Sequence, residues 1–422
     1  MKALKRLWFV WHSWVGLTAG LMLFVVCWSG TFAVLADEMD LLVNPSLQAA
    51  HSDTLAWDAA YDAAIEAQPD IADISLRAPA GPGQALLIVG TDDEGDLRRL
   101  YADPATGRII AQTSFFNVQR FFRSFHRNLF LVDVFEFGGA GTGDLIVTSM
   151  AIILLVQLIT SLIFYKRWWR GFWAIDWRRG PKVFWSSVHK AGGVWSLWFV
   201  ALIAATGIWY LVEFYIPPPP SDGKLPVVAA DADRRLNIAA TIAAAERAYP
   251  GLSATSVTVG PVAVEVNGQD GSLFTRDRGA SVLTTFDGAR VLQVRHVADL
   301  TALERWTEMA DPLHFGDFGG LWSQIPWFLF GVILSGLSLT GAYLHVKRQR
   351  RRGETRLRTP IFLSYAATLA VLAVSAQYGW LEIQDYGPEG SWPAVPTAAI
   401  IFIGAWVLST IAALTLWMRA VR

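Results

Sequence analysis

Four of the seven histidines recur at matching places in two parts of the chain. His12 and His189 each begin an apolar run and are each followed four residues later by a glycine. His126 and His314 each come shortly before a later apolar run. Imidazoles on facing helices of a bundle can ligate haem iron axially, and ionisable groups inside a membrane usually have a function. The repeat therefore predicts two histidine pairs, each of which binds one haem.

The alternatives to haem are another metal, a proton relay and simple packing. Zinc or copper is disfavoured because Cys27 is the only cysteine, and no Met or carboxylate cluster is predicted at membrane level. A proton relay stays open, although no membrane-embedded acid accompanies the histidines. Small residues and aromatics are common wherever membrane helices pack, so the histidines could also be structural.

His345 is a further candidate, at the end of the fourth apolar run and at the depth of the first pair. The equivalent position in the other copy is close to Phe164, so His345 has no symmetric histidine partner. It could be an interfacial side chain, or it could replace or support one ligand of the first pair. The remaining histidines, His51 and His296, are interpreted as surface residues.

The composition is that of an integral membrane protein. The 422 residues are 53% hydrophobic and 17% charged, whereas a soluble chain carries about a quarter charged residues. A membrane-spanning helix needs about 20 mostly apolar residues. Six stretches meet that length, at residues 14–35, 145–165, 191–212, 325–346, 361–378 and 395–418. The first is interpreted as a retained anchor, because its apolar segment is too long for a signal peptide.

The charges that flank these stretches predict the orientation. Residues 166–190 and 347–358 are rich in Lys and Arg, whereas Asp37, Glu38 and Asp40 follow the first stretch. By the positive-inside rule, both basic loops and both termini are cytoplasmic. The segments after the first and third stretches then lie on the outer side of the membrane.

The two outer segments follow one plan, an Ala-rich helix and then several strands. In the first, a helix is predicted at residues 56–68 and strands at 71–76, 85–90 and 97–102, with a hairpin turn at 103–107. In the second, a helix is predicted at residues 238–248 and strands at 256–259, 262–266 and 281–286. The chain therefore contains two copies of helix, outer α+β module and helix, followed by an extra helical pair.

The predicted fold is a mostly α-helical integral membrane protein. It consists of a duplicated four-helix haem-binding bundle, an extra helical pair and two small α+β domains. The predicted transmembrane helices occupy residues 1–36, 144–166, 191–216, 324–346, 361–380 and 394–418. The outer domains occupy residues 37–143 and 217–323, and the basic cytoplasmic loops occupy 167–190 and 347–360.

These features resemble the PepSY-associated transmembrane family, also called iron-regulated membrane proteins. The resemblance depends on the H-x-x-x-G motif before the first and third apolar runs, each run containing a Ser-Gly or Thr-Gly step. It also depends on residues 125–129 (Phe-His-Arg-Asn-Leu), 313–320 (Leu-His-Phe-Gly-Asp-Phe-Gly-Gly) and 103–108 (Asp-Pro-Ala-Thr-Gly-Arg). It covers residues 1 to about 350 and implies that the outer domains are PepSY-like and periplasmic.

One branch of this family resembles the ferrisiderophore reductases of the bacterial inner membrane. That resemblance implies two b-type haems ligated by His12, His126, His189 and His314, and reduction of a ferric siderophore to Fe(II) in the periplasm. No catalytic residue is assigned. Because no G-x-G-x-x-G motif follows a strand, the electron donor is expected to be a quinol or a cytoplasmic reductase.

Two other functions remain as hypotheses. The chain could be a non-enzymatic membrane module whose PepSY-like domains bind and regulate a periplasmic partner. A transporter of iron or siderophore is disfavoured, because no charged or broken helices are predicted to line a path. The expected partners are thus a ferric siderophore, an electron donor and the lipid bilayer, with no nucleic acid.

Overall fold

The computed structural model describes residues 2–92, 95–132, 134–137, 139–173, 175–216, 236–276, 278–350, 358–387 and 392–421. Within them the chain forms two successive copies of one arrangement, followed by two long helices. Of the segments predicted from the sequence, residues 217–235 of the second outer domain and 351–357 of the second basic loop lie outside these ranges.

The first copy begins with helices and encloses one α+β module. Its elements are α1 (Lys2–Thr18), α2 (Gly20–Ala33), α3 (Ala36–Val43), α4 (Trp57–Ala67), β1 (Ala72–Arg77), β2 (Leu86–Thr91), β3 (Leu97–Ala102), β4 (Ile109–Ser114), α5 (Val118–Asn128), β5 (Glu136–Phe137), β6 (Ala140–Gly141) and α6 (Thr142–Phe164). Side chains of β2 alternate between buried and half-buried, as expected where one face of a sheet covers a core. The α4 helix ends just before Pro69, which disfavours helical geometry in the residue before it.

The second copy repeats this order except for α3, β5 and β6, which have no counterpart among its described elements, and two further helices follow. Its elements are α7 (Pro181–Trp195), α8 (Leu197–Glu213), α9 (Ile238–Ala248), β7 (Ser253–Val259), β8 (Val264–Gln269), β9 (Ala280–Thr284), β10 (Val291–Arg295), α10 (Ala302–Phe315) and α11 (Leu321–Arg350), and they are followed by α12 (Arg358–Gln384) and α13 (Thr397–Val421). The Ala-rich helices and the strands lie within a few residues of their predicted positions. The order of helices and strands therefore largely repeats along the chain.

Helices that are long and apolar enough to cross a membrane follow the predicted stretches. Among the described residues, α6, α11, α12 and α13 qualify as single helices. The pairs α1–α2 and α7–α8 qualify when each pair is counted as one span, because they bend by 66° and 63°. The chain is therefore a multi-pass membrane protein with 4 to 6 candidate spans.

Both bends lie seven residues after a repeat histidine, at Ala19 and Ser196 (19 − 12 = 7 and 196 − 189 = 7). At the second bend the Ser196 hydroxyl donates to the Gly192 carbonyl at 2.6 Å, a bond that often bends helices. The prediction that no helix is broken is wrong at these two positions. Backbone bonds nevertheless continue into each bend, from the Ala19 N–H to the Val15 carbonyl and from the Ser196 N–H to the Gly192 carbonyl. These bends therefore lack the unwound backbone that transporters use to hold ions.

The first four spans form a bundle in which equivalent spans of the two copies lie diagonally. The α1 and α2 helices both contact α6 and α11, while α8 contacts α6 and α7 contacts α11. The first and third spans, which carry His12 and His189, are therefore separated by the other two. This is the arrangement that a simple antiparallel bundle predicts.

The two α+β modules share one sheet, which the sequence does not predict. Its strands run in the order β10-β9-β8-β7-β1-β2-β3-β4, and neighbouring strands are antiparallel. The two copies meet where β1 pairs with β7, and Leu76↔Val257 is the central residue pair of that joint. Both of these side chains are fully buried, so the two modules share one hydrophobic core.

The last two helices pack against the first copy and α11, and they break the two-fold pattern. The α12 helix contacts α1 and α2, whereas α13 contacts α3, α5 and α11. The ring of Trp406 in α13 lies 5.2 Å from Phe122 and 5.4 Å from Phe125 of α5, measured between centroids. The Ser375 hydroxyl of α12 donates to the Leu129 carbonyl at 2.6 Å. The extra helical pair thus holds α5 in place.

Candidate functional site

Two short helices at the end of the bundle next to the sheet carry His126 and His314. We call this end the sheet side, and the end that carries residues 166–190 the basic side. Asn117 caps α5 by accepting a hydrogen bond from the third backbone N–H of the helix at 2.8 Å. Asp40 of α3 accepts from the first two N–H groups, at 2.8 and 2.9 Å. Helix N-termini need such acceptors, so the two side chains fix where α5 begins.

The same pair of residue types caps α9 in the second module. Asn237 accepts from the third backbone N–H of α9 at 2.8 Å, and Asp58 of α4 accepts from the first two at 2.6 and 3.0 Å. This second cap joins the two α+β modules, whereas the cap of α5 positions a helix that carries a histidine.

The α10 helix, which carries His314, is defined by its own sequence at both ends. Thr301 and Glu304 form a capping box at its start. The helix ends at Gly316, which has φ 71°. A Cβ atom at Gly316 would lie 2.5 Å from the Trp327 ring, so glycine is needed there for space as well as for backbone geometry.

The structure brings the two sheet-side histidines together. The ring centroids of His126 and His314 are 6.3 Å apart, and the ring planes differ by 29°. Nδ1 of His126 lies 3.2 Å from the Ser29 hydroxyl of α2, and Nδ1 of His314 lies 2.8 Å from the Thr206 hydroxyl of α8. Ser29 and Thr206 are equivalent positions of the repeat, each followed by glycine. Because Nδ1 of each ring has a partner, Nε2 is the atom that each ring offers to a ligand, as in metal sites where a second contact orients the histidine.

A cavity of about 440 Å³ contains both of these rings. Its apolar wall includes Leu23, Val26, Leu154, Phe199, Ile203 and Leu334. Its mouth is polar and includes Arg123, Arg127, Tyr210, Arg276, Arg278 and Asp311. A concave, mostly apolar pocket with a few convergent polar groups is typical of a cofactor site.

The charges at the mouth of this cavity are only partly paired. Arg276 lies 2.9 Å from the Asp311 carboxylate, which also accepts a hydrogen bond from the Tyr210 hydroxyl at 2.7 Å. Arg123 and Arg278 make no ion pair with any described residue. The residues that line the cavity include four arginines and three acids, the acids being Asp144, Glu213 and Asp311, so the cavity carries a small excess of positive charge.

Both sheet-side histidines are neutral at pH 7. They lie on α5 and α10, outside the spanning helices. Burial lowers the pKa of His126 to about 4, and burial together with the nearby His126 lowers the pKa of His314 to about 3. A neutral imidazole keeps the nitrogen lone pair that a metal requires. The rings retain partial exposure because they line the cavity.

The basic-side histidines are oriented in the same way but do not touch each other. Nδ1 of His12 lies 3.1 Å from the Thr160 hydroxyl of α6, and Nδ1 of His189 lies 2.9 Å from the Thr340 hydroxyl of α11. Among the ring contacts of the described residues, His12 meets Phe164, at 5.2 Å between centroids, and not His189. Thr160 and Thr340 lie on α6 and α11, which are equivalent helices, so the histidine–hydroxyl contact is present in both copies.

His345 is buried, with 5% of its surface exposed, and lies on α11 beyond Thr340. Neither of its ring nitrogens has a hydrogen-bond partner among the described residues. It therefore lies near the basic side, but without the hydroxyl contact that the four repeat histidines share.

The glycines beside the histidines mostly serve helix packing. A Cβ atom at Gly30 would lie 2.6 Å from Cε1 of His126, and one at Gly341 would lie 3.2 Å from Cε1 of His189. Gly16 and Gly20 follow His12 in the chain, and the 192–193 pair follows His189. Of these four positions, only Gly193 has open space beside it, with nothing within 4 Å of an added Cβ atom.

The hydroxyl partners of the histidines and the arginines at the cavity mouth are not among the residues predicted from the sequence. The Ser-Gly and Thr-Gly steps at residues 29 and 206 are visible as a repeat, and that alignment was a signal for the sheet-side hydroxyls. Thr160 and Thr340 are likewise visible once α6 and α11 are aligned. Arg123 lies three residues before His126, but only the fold shows that it reaches the mouth of the same cavity.

The fold and the site define a class, a multi-pass membrane protein with two helical copies and two α+β modules. Residues 9–348 match the family model described as the PepSY-associated TM region, so the chain belongs to this family. The match spans both copies and stops before α12 and α13. No curated protein matches the chain.

Proposed function

We propose that the chain is a di-haem transmembrane electron-transfer protein that reduces ferric siderophores. The observation that carries the proposal is that four histidines of the chain share one kind of environment. Each has Nδ1 beside a hydroxyl group of a spanning helix, and two of them share a cavity. A packing role would not require the same ring nitrogen to be engaged in all four cases.

The donor set supports haem over a bare metal ion. A structural or catalytic ion commonly takes three or four protein ligands. The described residues contain no group of three or more His, Cys, Asp or Glu side chains that could hold one. Two neutral imidazoles suit a metal whose other ligands come from a macrocycle. His126 and His314 would hold one haem, and Arg278 at the mouth of the cavity would pair with one of its carboxylate groups.

The basic-side pair would hold a second haem. His12 and Ser29 are 17 residues apart on the first span (29 − 12 = 17), which is about 25 Å along a straight helix and less across a bend. The two pairs would therefore lie toward opposite faces of a membrane about 30 Å thick. Haem iron supplies one-electron chemistry between Fe(III) and Fe(II). The protein's residues set the depth and orientation of each ligand pair.

The overall reaction we propose transfers one electron to each ferric ion. With a quinol donor, one quinol reduces two ferric chelates, giving a quinone, two protons and two Fe(II) ions. A reduced cytoplasmic protein is the other class of donor. Fe(II) is held more weakly than Fe(III) by hard oxygen ligands, so reduction releases the iron. The basic loops support an inner-membrane orientation with cytoplasmic termini and a periplasmic sheet.

Haem content tests this proposal directly. Purified protein is expected to show a Soret band and two b-type haems per chain in a pyridine haemochrome assay. His126→Ala and His314→Ala are each expected to lower the content to about one haem, because one of the two histidines that would hold that haem is lost. His51→Ala is the matched control, since this histidine is exposed on its surface loop and is expected to change nothing.

Two results would contradict the proposal. Protein without a Soret band would remove the electron-transfer function altogether. A haem content unaffected by both His126→Ala and His314→Ala would mean that the sheet-side pair is structural. His12→Ala and His345→Ala in the same assay compare the two candidates for the basic-side site.

A further inference from the structure

A second cavity, of about 600 Å³, opens beside the cavity that holds the sheet-side histidines. The residues that line both cavities are Arg123, Arg127, Asp144 and Phe214. Arg120, Ser124 and Asn128 line the second cavity and not the first. The second cavity is thus adjacent to the histidine site but has its own, mainly polar wall.

One face of α5 supplies three guanidinium groups to this second cavity. Arg120, Arg123 and Arg127 are three and four residues apart, so they project from the same side of the helix. Arg120 lies 3.4 Å from the Glu382 carboxylate, and Arg127 lies 3.6 Å from Asp144. Arg123 makes no ion pair with a described residue, and its side chain is exposed to the cavities.

The two acidic residues of the cavity wall do not cancel this charge. Glu136 lies at the exposed edge, and Asp144 is buried and accepts a hydrogen bond from the Gly141 N–H at 3.2 Å. The partial burial of Arg123 at the cavity wall, then the neighbouring Arg127 and Arg120, lower its pKa, while Asp311 raises it. Like charges this close favour an anion between them.

The other copy of the repeat shows that this positive charge is not a general feature of the fold. Glu308 and Asp311 stand six and three residues before His314, where Arg120 and Arg123 stand before His126. Glu308 pairs with Arg295 at 3.2 Å and with Arg276 at 3.9 Å, and Asp311 pairs with Arg276 at 2.9 Å. The charges of the second copy are therefore paired internally, whereas Arg123 of the first copy faces an open cavity.

We propose that this second cavity is the substrate site and that it selects anionic ferric chelates, with Arg123 as the main contact. Chelates whose carboxylate groups leave a net negative charge, such as ferric hydroxycarboxylates, fit this wall, and cationic chelates do not. The choice of a ferric chelate rests on the proposed function. The preference for negative charge rests on the cavity itself.

Binding of a chelate that cannot be reduced tests the site separately from electron transfer. The probe is gallium(III) citrate, titrated calorimetrically into the full detergent-solubilised chain at low ionic strength. Arg123→Gln is expected to weaken binding about tenfold or more, because one charge-assisted contact is lost. Arg123→Lys keeps the charge and is expected to restore most of the affinity. Arg108→Gln removes an exposed arginine that lines neither cavity and is the matched control.

The possible outcomes separate this inference from the proposed function. Native affinity in Arg123→Gln, equal binding of the cationic gallium complex of desferrioxamine B, or equal binding of citrate without metal would each overturn the inference. Loss of the Soret band in Arg123→Gln with unchanged gallium citrate binding would assign Arg123 to the haem instead, and would also overturn it. Arg123-dependent binding by protein that contains no haem would support the inference while removing the proposed function.

Discussion

At the scale of single residues, the hydroxyl group beside Nδ1 of each repeat histidine says more about a role as a ligand than the histidine alone does. His126 could be predicted as a candidate from the sequence because its neighbourhood repeats at His314. The Ser29 and Thr206 hydroxyls could not be assigned to these rings, since the partners are 97 and 108 residues apart in the chain. Only the packing of α5 on α2 and of α10 on α8 brings them together.

Removing one of these hydroxyls is expected to weaken haem binding without removing the ligand. In Thr206→Val the His314 ring loses its Nδ1 partner, and mutation of such outer contacts typically costs about 10- to 100-fold in metal affinity. The measurement is haem affinity from titration of the apoprotein, followed at the Soret band. Thr410→Val is the matched control, because Thr410 is also buried and also donates to a carbonyl four residues earlier, but contacts no histidine. Equal affinities in the two variants would contradict the orienting role.

At the scale of elements, the start of α5 depends on a side chain that the sequence does not connect with it. Asn117 is a recognisable cap because it lies next to the helix. Asp40 binds the first two N–H groups from 78 and 79 residues away. The acidic residues that follow the first span help to predict the orientation of the chain in the membrane. That Asp40 caps α5 follows only from the fold.

Asp40→Ala is expected to lower the free energy of unfolding by about 1–3 kcal/mol, because two helix N–H groups lose their acceptor. Asp58→Ala removes the equivalent acceptor from α9 and is expected to cost a similar amount. Only Asp40→Ala is also expected to reduce the haem content, since α5 carries His126 and α9 carries no histidine. Thermal unfolding and the pyridine haemochrome assay on both variants check this. A similar loss of haem in Asp58→Ala would show that the effect is global destabilisation.

At the scale of the whole molecule, the duplication was predictable and the way the copies join was not. Each α+β module has its own helix and strand pattern, so the two modules can be found separately. Strand alternation shows which residues are buried but does not identify the neighbouring strand. The pairing of β1 with β7 and the docking of α12 and α13 on the first copy are therefore results of the structure alone.

A cross-link between the two modules tests this joint. Ser75 and Thr258 are direct partners in antiparallel strands, and their hydroxyls are 3.3 Å apart. Such partners have Cα atoms about 4.5–5.5 Å apart, within the range of a disulfide. The double variant Ser75→Cys and Thr258→Cys is expected to form a disulfide in intact cells if the sheet faces an oxidising compartment. Limited proteolysis and non-reducing gels detect the link.

The control pairs Ser75→Cys with Ser256→Cys, which is displaced by two residues along β7 and is expected to link poorly. Equal linking in both double variants would contradict the observed register. No link without added oxidant, but a full link with it, would support the register and contradict the periplasmic location.

The joint between β1 and β7 also constrains how the protein is made. Ser75 and Thr258 are 183 residues apart in the chain, so β1 has no partner on this side until the ribosome has synthesised the third span, α9 and β7. At about 5–20 residues per second, that interval lasts roughly 10–40 s. During it, the first module has an open strand edge of the kind that other chains can pair with. The joint therefore forms only if the β1 edge stays free of other chains during this interval.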